Sequence, residues 1–365
     1  MLNLVALLLL LGASTASSAV TGTSAYDYRN SPSVGPLLDR EMVVLSARGM
    51  FAPGRVDSLL GSGVKPWMLV QPNQSFVNGL AIGSRPGDDR TFPWDTATYQ
   101  LAMKHGAIMR DSTGAYLDMF GGTQWQSMVL DFRNRAFGAD YAALLVSMFP
   151  RLSGLVLDYG CGDLAWMGLK VPLSVWPDWR AGWIAYLAEL RRLRPDLVVV
   201  SQCDKWQRDL PVDGVLLEQA GYSLQTPAKA FSTTRDLVGA GKRAHYWQEW
   251  SDKRTRRFFA AIALMFDGTY RQTGTPNIVP PVNYRHPEHF DLSVGVPGSA
   301  AWERAPGVWQ RMYTRGLVIL NVTGATMTYQ YNQTTAFTIP PGDALVLQNR
   351  DTRGRFIVAK TNAGR

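Results

Sequence analysis

Cysteine is almost missing: two residues, Cys161 and Cys203, in 365. Two cannot build a disulfide framework. Both follow predicted strand ends. A single bridge between them stays open as an alternative, one that needs an oxidising compartment and close Cα atoms. Histidine is as scarce, with His105, His245, His286 and His289. His286 and His289 sit in a proline-rich stretch rather than on a helix, so no metal site is expected. There is no G-x-S-x-G elbow and no Walker loop. The glycines at 121–122 are too few for a phosphate cradle. No G-x-G-x-x-G follows the first strand, which argues against a dinucleotide fold. No cofactor is expected. Repeats of solenoid period and nucleic-acid motifs are missing too.

Long apolar runs are confined to the start. MLNLVALLLLLGASTASSA has an apolar core, Leu4 to Leu11, then small residues with Ser17 and Ala19 placed for cleavage. It lacks a basic n-region, yet reads as a secretory signal peptide over 1–19. The core is short for a membrane span. The expectation is a secreted or periplasmic protein with no stable membrane insertion after cleavage. The net charge of +8 is spread along the chain. Its densest cluster, DKRTRRFF at 252–259, reads as a solvated helix face, so no nucleic-acid partner is expected.

Residues 20–40 are polar and read as a linker. From 41 to 304 strands and helices alternate. EMVVLSA, KPWMLV, GLVLDYG, LVVVSQ, GVLLEQ and RAHYWQEW read as strands. DWRAGWIAYLAELRRL reads as an amphipathic helix, and 107–120 as a hairpin. Strands with no polar face suit a parallel sheet covered on both sides. The number of units favours an α/β fold, a (β/α)8 TIM-type barrel. Near 305 the pattern changes. RGLVILN, MTYQYN and DALVLQN alternate apolar and polar residues, which predicts a small C-terminal antiparallel β domain over 305–365, a sandwich-like module.

In such a barrel the C-terminal strand ends form the active face. Four predicted strands end in acids: Asp131 in VLDF, Asp158 in VLDY, Glu218 in LLEQ and Glu249 in WQEW. A carboxylate there is costly to desolvate unless paired or hydrogen-bonded. Two converging carboxylates without a metal suit glycosidic bond hydrolysis, one as acid, the other as nucleophile or base. Asp158 and Glu218 are the candidate catalytic pair. Asp131 and Glu249 are candidate substrate contacts. Tyr159, Trp166, Tyr222 and Trp247, near those strand ends, are candidate sugar-stacking residues. Trp176 and Trp179 are further aromatics after Asp158, and Asp163 is a lesser polar candidate.

GLVLDYG, LVVVSQ and DGVLLEQ together resemble the glycoside-hydrolase-like barrels called hypothetical glycosyl hydrolase family 15, and more distantly the polygalactosaminidase family. RGLVILNVTG and IPPGDALVL are similar to the β module closing many amylase-like chains. The resemblance spans roughly residues 41–350. It implies Asp158 as nucleophile or base, Glu218 as general acid, and a polysaccharide or glycan as substrate. Ser201-Gln202-Cys203 departs from the Asn those families often carry. The competing reading is a non-catalytic carbohydrate-binding or cell-surface protein on a degenerate barrel, because a fold alone warrants no activity.

Overall fold

The computed structural model describes residues 20–27, 40–46, 50, 53–70, 74–76, 93–117, 127–158, 160, 173–202, 210–218, 226–249, 253–273, 294–349 and 356–358. The chain opens with strands β1 (Val20–Asp27) and β2 (Arg40–Ser46), helix α1 (Arg55–Gly61) and strand β3 (Lys65–Val70). Next come β4 (Gln74–Phe76), α2 (Pro93–His105), β5 (Ser127–Val129) and α3 (Arg135–Met148). Then β6 (Gly154–Leu157), α4 (Trp176–Leu193), β7 (Val198–Gln202) and β8 (Gly214–Glu218) follow. The α/β part ends with α5 (Pro227–Gly239), β9 (Arg243–Glu249), α6 (Lys253–Met265) and β10 (Thr269–Thr273).

Parallel strands form one curled sheet in the order β1-β10-β9-β8-β7-β6-β3-β2. β1 pairs with β2 on one side and touches β10 through Thr23 and Tyr270 on the other. This corrects the reading of 20–40 as a linker, because Val20–Asp27 is a strand of the sheet. Its sequence, VTGTSAYD, has the composition of a turn, and only its neighbours make it a strand. The helical half of the repeat is met in part. Among the described residues, α-helices follow β2, β3, β6, β8 and β9.

Alternation along each strand sorts the side chains. Val44, Trp67, Val156, Val200 and Leu216 pack together inside the curl. Leu155, Leu157 and Val199 face the helices. The inner layer is filled unevenly. A Cβ on Gly154 would lie 2.5 Å from two ring carbons of Trp67, so the indole takes the room a side chain would need. Gly154→Ala is expected to lower stability by about 1–3 kcal/mol, the usual penalty of overpacking, measured by urea unfolding.

The outer layer over α3 and α4 is aromatic. Phe132, Tyr141, Trp183 and Tyr186 are buried there, with Phe132 edge-on to Trp183 at 5.1 Å. Trp179 belongs to the same layer, 1% exposed, and its indole N–H donates to the Leu130 carbonyl at 2.9 Å. It is a core residue, not the wall of a cleft.

The C-terminal module holds β11 (Trp302–Ala305), β12 (Val308–Tyr313), β13 (Gly316–Asn321), β14 (Met327–Gln330), β15 (Ala336–Ile339), β16 (Asp343–Asn349) and β17 (Phe356–Val358). An antiparallel sheet runs β11-β12-β13-β16-β17, and β14 pairs with β15. The module begins earlier than 305. Gly298 N–H donates to Met312 and Arg315 N–H to Val294, so the segment from 294 already belongs to it. Its first strand, Trp302–Ala305, is exposed at every position and shows no alternation.

One face of this sheet packs on α6. Phe258, Phe259 and Ile262 meet Val318, Leu320 and Val346 in one core. The basic cluster at 252–259 is therefore not a solvated face throughout. Arg257 is 7% exposed, and its Nε donates to Asp343 Oδ1 at 2.7 Å while its Nη2 pairs with Oδ2. At the other end of α6, Arg311 of β12 donates to the carbonyls of Leu264 and Met265 at 2.8 and 3.0 Å. A guanidinium on the last carbonyls of a helix satisfies orphan acceptors and complements the helix dipole.

Candidate functional site

GLVLDYG begins as a strand buried at every position. Val156 faces the interior and Leu155 and Leu157 face the helices, so the pleat places Asp158 inward. Asp158 N–H still donates to the Val70 carbonyl at 2.9 Å, continuing the β3–β6 ladder one step. The chain then turns, with Gly160 N–H reaching the Leu157 carbonyl at 3.2 Å. A Cβ at Gly160 would lie 2.7 Å from both that carbonyl and the Ser201 hydroxyl. Only glycine fits this corner. Gly160→Ala is expected to shift the backbone carrying Asp158, seen as altered amide NMR shifts around residue 158 with the other signals of the curled sheet kept.

The same parity places Glu218. On β8, Leu216 faces the interior while Val215 and Leu217 pack outward. Glu218 is two residues beyond Leu216 and ends β8 at the same end of the sheet as Asp158. β7 runs between β6 and β8. Two strand spacings put the axes carrying the two acids about 10 Å apart. Glu218 is in register with Trp247, and Glu249 with Thr273. Ala244 and Tyr246 of the same strand pack outward. β6, β8 and β9 thus all lead to acids at one end of the sheet. Tyr159, Trp166 and Tyr222, with Cys161, Asp163 and Cys203, lie outside the described residues.

Asp131 is a correction. It follows β5, which pairs with β4 in a separate two-stranded sheet and not with the curled one. Its carboxylate is held by Arg133, whose Nε donates to Oδ1 at 2.8 Å and Nη2 to Oδ2 at 2.6 Å. The backbone N–H of Arg133 closes the turn on Oδ1 at 3.1 Å. This acid shapes the entry to α3 and does not end a strand of the curled sheet.

Two inner residues are not among the candidate site residues chosen from the sequence. Gln202 ends β7 on the inward face, two positions after Val200, and is 6% exposed. The alternation in VVVSQ carried that signal. His245 of β9 is 1% exposed with its ring 5.9 Å from Trp67. Burial, helped by nearby Arg243, pushes its imidazole down to about 3. It is neutral at ordinary pH and is no proton donor there. Among the described residues no three His, Cys, Asp or Glu group to hold a metal, and no helix is long and apolar enough to cross a membrane.

The layout is that of an α/β protein with a curled parallel sheet, an acidic C-terminal end and an appended antiparallel module. Its structural neighbours are glycoside hydrolases at low sequence identity. The glycoside hydrolase domain of PelA from Pseudomonas aeruginosa is 17% identical, covering 72% of this chain and 97% of its own, at a TM-score of 0.46. A noncanonic maltogenic alpha-amylase, AmyB, from Thermotoga neapolitana is 10% identical, covering 94% and 97%, at 0.48. A GH36 alpha-galactosidase from Geobacillus stearothermophilus is 10% identical, covering 93% and 55%, at 0.47. No family model matches the sequence, and no curated protein matches it.

Proposed function

We propose that this protein is an exported glycoside hydrolase acting on a polysaccharide or cell-surface glycan, with Asp158 and Glu218 as its carboxylate pair. One observation carries the reading. Two otherwise apolar strands, β6 and β8, run into acids at the same end of the sheet, with a single strand between them. The reading takes the curled sheet as a full (β/α)8 barrel, whose strand ends are where such folds place their chemistry. Glu218 acts as the general acid and protonates the leaving oxygen. Asp158 attacks the anomeric carbon or activates water, and its charge stabilises the oxocarbenium-like transition state. Trp247, in register with Glu218, is the sugar-stacking residue of this reading. Tyr159, Trp166, Tyr222 and Glu249 are the further substrate contacts of this reading. No cofactor is required.

The test compares the wild-type chain with Asp158→Asn and Glu218→Gln on a glycan panel, scored by released reducing ends. Each substitution is expected to lower cleavage by about 100-fold or more with the fold intact by circular dichroism. Equal cleavage by all three proteins would remove the pair from the mechanism. Equal binding with no cleavage would leave a carbohydrate-binding protein.

A further inference from the structure

Gln202 ends β7, the strand between β6 and β8. β6 and β7 are in register at Leu157 and Ser201, so the next step along both strands sets Asp158 beside Gln202. Both are on the inward face, since Val156 and Val200 below them pack inside. Adjacent parallel strands are about 4.8 Å apart, within reach of an amide and a carboxylate on one face. On the other side, Gln202 is in register with Leu216, two residues short of Glu218. The glutamine therefore stands between the strands that carry the two acids.

Carboxylates crowded at one mouth raise one another's pKa, whereas a donor aimed at the charged form lowers it. Gln202 brings two N–H donors and no charge. Its position lets it favour ionisation at Asp158 without supplying a proton. The Ser201 hydroxyl abuts the Gly160 turn at the same point, so β7 buttresses the corner that carries Asp158.

We propose that Gln202 is a positioning residue whose side-chain amide donates to the Asp158 carboxylate, holding it ionised and fixing its direction at the mouth. The inference deepens the carboxylate-pair reading by assigning which member carries the charge, but its test needs no substrate. The Asp158 carboxyl is titrated by carbon-13 NMR, assigned by its loss in Asp158→Asn, in the wild type and in Gln202→Met. Methionine keeps the length and removes both donors. The Asp158 midpoint is expected to rise by about one unit in Gln202→Met. An unchanged midpoint in a folded Gln202→Met overturns the proposal.

A second readout serves if Gln202→Met does not fold. In the wild type the Gln202 side-chain amide signals should move with the Asp158 midpoint, and that movement should vanish in Asp158→Asn. Amide signals indifferent to Asp158 also overturn it. A shifted midpoint in a chain that cleaves no glycan keeps the contact and removes the hydrolase. Cleavage with an unshifted midpoint does the reverse.

Discussion

Asp343→Ala is expected to cost about 3–5 kcal/mol of stability, read as a lower urea midpoint. Asp343 is 1% exposed and Arg257 7%. The carboxylate takes both arms of the guanidinium and the Ala344 backbone N–H at 2.7 Å. Removing the acid leaves a buried cation between α6 and β16 with its main partner gone. The asymmetry is the informative part. Removing both charges, as in Arg257→Met with Asp343→Leu, should cost far less than either single change, because the desolvation cost goes with the pair. A loss in the double variant equal to the sum of the two single losses would mean the pair is not coupled.

Stability should also fall in acid through His245. Its folded-state pKa of about 3 lies below its ordinary 6.5, held there by burial and then by Arg243. Above pH 6.5 the imidazole is neutral in both states and contributes no pH dependence. Below 6.5 the unfolded chain takes up a proton that the native interior refuses. Stability then drops by about 1.4 kcal/mol per pH unit until the native pKa near 3 is reached. Between pH 6.5 and 4.5 this single residue accounts for a loss of about 2 kcal/mol. In His245→Gln the stability profile over that window should be flatter by the same amount, measured by urea unfolding at each pH. Parallel profiles for the two proteins would show that His245 is protonated in the native state.

The sheet was legible wherever burial wrote it into composition. β3, β6, β7 and β8 are apolar runs, and the acids ending β6 and β8 stand out because nothing else polar precedes them. β1 and β10 did not stand out. VTGTSAYD and TYRQT are strands made by their neighbours, and they read locally as turn or loop. The same blindness misplaced Asp131. MVLDF and LVLDY look alike, yet one strand joins the curled sheet and the other pairs with β4 outside it. Local sequence states that a strand exists, and pairing decides which sheet it enters. Arg257 is the third such case, since a basic run on a helix reads as solvated until another module is laid against it.

The helix α6 is shared property. Its first turns carry the cation that Asp343 neutralises, its apolar side fills the core beneath β13 and β16, and its last carbonyls are closed by Arg311. A recombinant α/β part ending before residue 294 would therefore expose Phe258, Phe259 and Ile262 and strand Arg257. The α/β part and the β module are two shapes but one inheritance. Neither can be exchanged, shuffled or shed by proteolysis without rebuilding the helix between them.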